Sequence, residues 1–188
     1  MIAEDTELRI NQLEKELEVL KAAVKKDEVE NTLSLVCFSG EWDRLFAAFT
    51  LANGGLALGM DVHMFFTFWA ASSMRNGDSS RGGDKSFLQR MMARALPGSI
   101  AESPLSKMNL FGLGKVMMGR LMRKKGIPSL PDLVEDAREL GAQFHFCDTS
   151  LQLFGFSCEE LIDEDPSKWC GVSTFLSQAT RSKMVVMI

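Results

Sequence analysis

The residues of this chain with the widest chemical reach are its four cysteines, at positions 37, 147, 158 and 170, and their surroundings differ. Cys147 follows the strand-like run Gln143 to Phe146 and precedes Asp148-Thr149-Ser150, so its thiol stands where a strand ends and a helical turn begins. Free backbone N–H groups and the turn's dipole favour a thiolate there, below the free value of about 8.5. A thiolate is the form that attacks sulfur. Cysteine is also among the most buried residue types, so position alone fits both a nucleophile and a core side chain.

Cys37 ends an apolar run just before Phe38-Ser39-Gly40. If its strand neighbours that of Cys147, the two sulfurs come within reach of a disulfide or a bridging polysulfide, which needs Cα atoms within about 7 Å. Otherwise Cys37 is a packed core residue. Cys158 and Cys170 stand in polar stretches without an activating neighbour and read as incidental. The only histidines, His63 and His145, lie inside strands; His145 shares a face with Cys147 by the period of two and is placed to tune it, a structural imidazole being the plainer role.

With no Cys-x-x-Cys pair and no histidine pair at ligand spacing, neither a metal nor another cofactor is expected. Gly82-Gly83-Asp84-Lys85-Ser86 and Gly112-Leu113-Gly114-Lys115 both lack the leading glycine of a phosphate-binding loop, and Val116 follows the second. The methionines 91, 92, 108, 117, 118 and 122 fit an adaptable wall over a thiol pocket, a partner surface, or ordinary helix core.

The elements that must position these groups follow from periodicity. Residues 1–29 place Ile10, Leu13, Leu17, Leu20 and Val24 at alternating spacings of three and four, a coiled-coil-like seam that calls for self-association or packing on the domain. Residues 30–188 alternate strand and helix. Residues 32–38 and 61–69 are nearly continuous apolar runs, as in strands buried on both faces, with a helix over 41–58 between them. Residues 75–104 read as a Gly- and Ser-rich connection or lid running into a short Met-rich helix. Helices over 115–124, 129–140 and 173–182, a strand over 143–147, a short turn or helix at Leu151 and Leu153, and a last strand over 183–188 complete the series. This α/β order demands right-handed crossovers and a mostly parallel sheet with helices on both faces. Its functional crevice lies beyond the carboxyl ends of the strands, where Cys37, Trp69 and Cys147 fall.

Composition bounds the partners. In 188 residues the net charge is -4, without the basic excess that a phosphate backbone requires. Nucleic acid is not an expected partner. Cysteine density is far below that of a disulfide scaffold, which points to a reducing, cytoplasmic setting. The most apolar region, residues 45–71, is interrupted by Asn53, Asp61, His63 and several glycines, so no membrane span is expected.

Several segments together resemble the DsrE/DsrF-like family of sulfur-relay proteins. They are Phe38-Ser39-Gly40-Glu41-Trp42-Asp43-Arg44, Ala52-Asn53-Gly54-Gly55, Gly59-Met60-Asp61-Val62, Phe65-Phe66-Thr67-Phe68-Trp69, Leu105-Ser106-Lys107-Met108-Asn109 and Cys147-Asp148-Thr149-Ser150. The resemblance implies a Rossmann-like sheet, a homo-oligomer, and a cysteine that accepts and donates sulfur as persulfide or thiosulfonate. It places that role on Cys147; Cys37, where many relatives carry another residue, is a second participant only by its position at a strand end. It implies that Trp69, Lys107, Asn109, Ser39 and Gly40 line the site, Lys107 supplying positive charge for an anionic sulfur donor. No Thr-x-x-Cys motif is present, so peroxidase activity is not expected. A sulfurtransferase or sulfur carrier exchanging with a donor or acceptor protein or a small sulfane anion is the leading expectation. A scaffold module and a thiol redox sensor with a Cys37–Cys147 disulfide stand beside it.

Overall fold

The computed structural model describes residues 9, 12–18, 29–77, 85–107 and 112–188. The chain divides into two compact units, Met1–Glu30 and Asn31–Ile188. In the first, residues 9 and 12–18 are helical and Leu13 and Leu17 of the apolar seam are exposed. The other seam positions, Ile10, Leu20 and Val24, lie outside the described residues, as do residues 78–84 of the expected lid, Met108 and Asn109.

The second unit is built on a five-stranded parallel sheet in the order β4-β3-β2-β1-β5. The strands are β1 (Glu30–Cys37), β2 (Asp61–Phe66), β3 (Gln143–Cys147), β4 (Trp169–Cys170) and β5 (Ser182–Met187). Between β1 and β2 runs helix α1 (Trp42–Ala57); α2 (Phe68–Ser73), α3 (Phe87–Ala95), α4 (Leu113–Lys125) and α5 (Leu130–Glu139) lie between β2 and β3; α6 (Asp148–Phe154) and α7 (Val172–Ala179) follow. A capping box starts α5, Ser129 accepting from the Asp132 amide while Asp132 reaches back. β5 returns beside β1, Ile188 N–H donating to the Val36 carbonyl at 2.8 Å.

Register sorts the sheet into rows, and the rows decide which side chains meet. Cys37 pairs with Phe66, and Phe66 with Phe146. With the preceding row of Leu35, Met64 and Phe144, these side chains enter one large core with Leu45, Ala48, Phe49 and Ala52 of α1 and Leu130, Val134 and Ala137 of α5. Because side chains alternate along a strand, Cys147 faces the other way. There it packs with Phe65, Phe175, Ala179, Val36 and Cys170 in a smaller cluster under α7. Phe65 stacks on Phe175 at 4.7 Å.

Two expectations from the sequence change. The strand expected over residues 61–69 ends at Phe66, and Trp69 lies in α2. The chain turns at Phe68, whose φ of 46° is the only positive φ among described non-glycine residues. The run Phe65 to Trp69 is apolar except for Thr67, so strand and buried helix give nearly the same signal; close packing separates them. A Cβ on Gly40 would lie 2.6 Å from the Trp69 carbonyl oxygen, so only glycine lets the β1–α1 loop approach α2. The second change is β4, which periodicity cannot register in two residues.

Glu160 is fully buried and takes Arg75 at 3.1 Å and Lys85 at 2.6 Å, tying the segment after β2 to the turn Cys158–Glu160. Arg75 also lies over the Phe156 ring, 4.7 Å from its centroid.

On the α7 side of the sheet, His63 Nδ1 and His145 Nε2 are 3.0 Å apart. One proton serves that contact, so one ring accepts as the neutral form. Burial first, then the charges of His63 and Lys168, hold His145 down at about 4, against an ordinary 6.5. The unfolded chain therefore binds a proton that the folded chain refuses. Stability is complete above the ordinary value and declines as pH falls toward the folded one, by about 2 kcal/mol after discounting for solvent screening. Thermal unfolding midpoints are expected to drop across that window, and His145→Gln to flatten the slope; an unchanged slope in the variant would remove His145 from the account.

Candidate functional site

Four short connections meet at the carboxyl edge of the sheet. The Cys37 carbonyl at the end of β1 accepts the Thr67 N–H at 2.9 Å, and the Phe38 carbonyl accepts Ala70 N–H at 3.2 Å. These bonds hold the β2–α2 corner against β1. The corner then faces the first turn of α6. Phe68 N–H donates to Ser150 Oγ at 2.9 Å, and Thr67 Oγ1 lies 3.0 Å from the same oxygen. A non-glycine residue with positive φ costs roughly 1–2 kcal/mol, and here that conformation lets both Thr67 and Phe68 reach Ser150.

Cys147 sits under this corner. Its surroundings act on the thiol in opposite directions. Burial is the largest influence and raises its pKa; the hydroxyls of Ser150 and Thr67 and the amides of Ser150 and Thr149 lower it, and together they prevail. The thiol is thus held below the ordinary cysteine value. Proton bookkeeping explains the effect. Sulfur, Thr67 Oγ1 and Ser150 Oγ are mutual hydrogen-bond neighbours, so with a thiolate present, whichever hydroxyl donates to the other, one proton still points at sulfur. Phe68 N–H fills an acceptor site on Ser150, which leaves that hydroxyl's proton to donate to Thr67 Oγ1 or to the sulfur.

The other thiols are unlike it. Cys37 is 1% exposed in the large core, and burial pushes its pKa up to about 12. β2 separates it from Cys147, two strand spacings or about 9–10 Å, and the two side chains point to opposite faces. The condition for a direct Cys37–Cys147 bridge, neighbouring strands, is not met, and the opposite faces exclude it as well. Cys37 contributes its carbonyl to the site instead. His145 is engaged with His63 and held neutral, so it brings no positive charge to the thiolate.

Cys170 reads as incidental in the sequence because it follows the polar stretch Asp163 to Lys168 with no activating neighbour. It is the register partner of Cys147 across β3 and β4, packs in the same cluster, and is partly exposed. Burial raises its pKa, and the neighbouring Cys147 charge raises it further. Cys158 opens the turn Cys158–Glu160, where burial and then Glu159, Asp165 and Glu164 raise its pKa.

The expected lining residues that are described divide between two cavities. Ser39, Gly40 and Trp69 line one of about 470 Å³, with Arg44, Leu96 and Pro97. Arg44 was not picked out from the sequence; it pairs with Glu41 at 2.6 Å, and Glu41 also accepts from Ser39 Oγ at 3.0 Å. Trp69, half exposed, lies beside Phe154 of α6 at 5.6 Å. Lys107 lines a larger groove of about 770 Å³ along α4 with Met117, Met118 and Leu121. That segment is anchored by Asp43, which accepts from Ser106 N–H at 2.8 Å and Ser106 Oγ at 2.6 Å. No cluster of metal-ligating side chains occurs among the described residues. No described helix is long and apolar enough to cross a membrane.

The profile of the DsrE/DsrF/DrsH-like family matches residues 29–187. The chain belongs to this family. Its relatives include the uncharacterized protein YrkE of Bacillus subtilis, 32% identical over 155 residues, which cover 82% of this chain and 95% of YrkE. They also include the sulfur carrier protein DsrE2 of Allochromatium vinosum, 25% identical over 172 residues, covering 85% of this chain and 99% of DsrE2. The family match takes in the whole sheet, the Thr67–Phe68 corner, and both Cys147 and Cys170.

Peptide-resolved alkylation with iodoacetamide across pH tests the cradle directly. The Cys147 rate is expected to rise at lower pH than those of Cys158 and Cys170, and Ser150→Ala to move it toward higher pH. A Cys147 profile unmoved by that substitution would leave the hydroxyl without a role.

Proposed function

We propose that this protein is a sulfur carrier in the relay chemistry of its family, with Cys147 as the acceptor. The observation that carries this reading is the set of donors converging on Cys147: two hydroxyls and two amides outweigh burial and favour the anion. The family assignment and the relative described as a sulfur carrier support the same reading.

In the acceptor step the Cys147 thiolate attacks the terminal sulfur of a persulfide donor. A bond forms between Cys147 Sγ and that sulfur, the donor's S–S bond breaks, and the donor leaves as its thiolate with the electron pair. In the second step a partner thiolate attacks the outer sulfur and Cys147 departs as thiolate. The same cradle serves both directions, because a thiol that ionises readily is also a better leaving group. Cys147 is 3% exposed, so transfer includes an opening of its wall, of which the Thr67–Phe68 corner forms part.

The proposal includes a reducing, cytoplasmic setting, since the acceptor must remain a thiol between turnovers. It also includes self-association through the first unit, where Leu13 and Leu17 are exposed on a helical stretch. Lys107 and Arg44 are the cations proposed to receive an anionic donor or an acidic partner surface around the two cavities.

Exposure of the full chain to polysulfide or thiosulfate, followed by mass analysis of the cysteine peptides, is the test. One added sulfur is expected on the Cys147 peptide of samples quenched immediately after exposure, and Cys147→Ser should abolish it with the fold intact by circular dichroism. Undiminished sulfur uptake by the variant would refute the assignment.

A further inference from the structure

Cys170 stands where a second thiol of the site would have to stand. We propose that Cys170 is the resolving thiol for Cys147: it closes a Cys147–Cys170 disulfide and discharges the carried sulfur as hydrogen sulfide. This rests on the reading of Cys147 as sulfur acceptor, and it adds a reductive outcome to what is otherwise a neutral transfer.

Geometry is the ground for it. Cys147 and Cys170 are Cα partners in the parallel ladder of β3 and β4. Neighbouring strands lie about 4.8 Å apart, inside the 4.4–6.8 Å that disulfides span. Both side chains pack in the one small cluster under α7, so they leave the sheet on the same face. β4 has only two residues, between the turn Pro166–Lys168 and α7, at the edge of the sheet. A segment held by so short a ladder has the freedom to adjust to disulfide torsions, which a central strand lacks. Cys170 is also the more exposed of the two. Cys37, by contrast, is excluded by a full intervening strand and the opposite face.

The step balances without an added oxidant. Cys170, giving up its proton, attacks Cys147 Sγ; the Sγ–Sγ bond forms, the bond from Cys147 Sγ to the carried sulfur breaks, and the electron pair leaves with that sulfur as HS⁻, which takes the proton. The sulfane sulfur is reduced and the two cysteines are oxidised. An external dithiol then restores both thiols by two exchanges. The Cys147 charge raises the Cys170 pKa, which keeps Cys170 protonated and idle while Cys147 is an empty thiolate. Once sulfur is loaded, negative charge moves outward onto the terminal sulfur and that restraint weakens.

The experiment loads the full-length protein anaerobically with polysulfide, removes excess, and follows sulfide release and the cysteine peptides with no reductant present. Wild type is expected to release about one sulfide per chain and to show a Cys147–Cys170 disulfide; dithiothreitol should regenerate both thiols. Cys170→Ser and Cys170→Ala should retain the sulfur on Cys147 and release sulfide at least about tenfold more slowly, while Cys158→Ser behaves as wild type. Retention of persulfide by wild type for as long as by both Cys170 variants would overturn the resolving role and leave the carrier reading standing. Failure of every protein to take up sulfur would overturn the carrier reading, and the discharge step with it.

Discussion

A sulfur anion removed from water persists only where fixed donors replace the solvent it has lost. The fold brings such donors to the end of β3 from elements far apart in sequence. α6 begins immediately after Cys147 and presents the Thr149 and Ser150 amides and the Ser150 hydroxyl. The β2–α2 corner supplies Thr67 and fixes Ser150 through the Phe68 amide, and that corner is in turn pinned to the Cys37 carbonyl of β1. Removing any one of these contacts leaves burial less opposed, and burial alone favours the neutral thiol.

The same parallel register that builds this edge gives the thiols different surroundings. One step along β3 moves a side chain from the row of Cys37, Phe66 and Phe146 to the opposite face. Cys37 thereby falls among aromatic rings and stays protonated, whereas Cys147 meets polar donors on its own side and Cys170 across the ladder. Four cysteines in one short chain thus occupy chemically different sites.

Much of this was legible in the residues. The apolar runs, the capping serine at 129 and the glycine-closed helices give the alternating order, and alternating order in a chain of this size requires a parallel sheet. Cys147 stood out because a strand end and a helix start are both local signals. What stayed hidden is nonlocal or too short. Strand order cannot be read from a single sequence, so the distance from Cys37 to Cys147 could not be known. Trp69 looked like strand because its turn depends on the contact with Gly40, made across the sheet edge. β4, two residues long, carries no periodicity, and Cys170 was passed over with it.

Sulfur transfer at this edge requires Cys147 to ionise below the ordinary cysteine value in the folded chain. Ultraviolet thiolate absorbance recorded through a pH titration of the native protein and of Cys147→Ser measures this directly. The difference between the two curves is predicted to rise below that value, with the remaining three thiols titrating above it. A difference that appears only at or above the ordinary value would contradict the account.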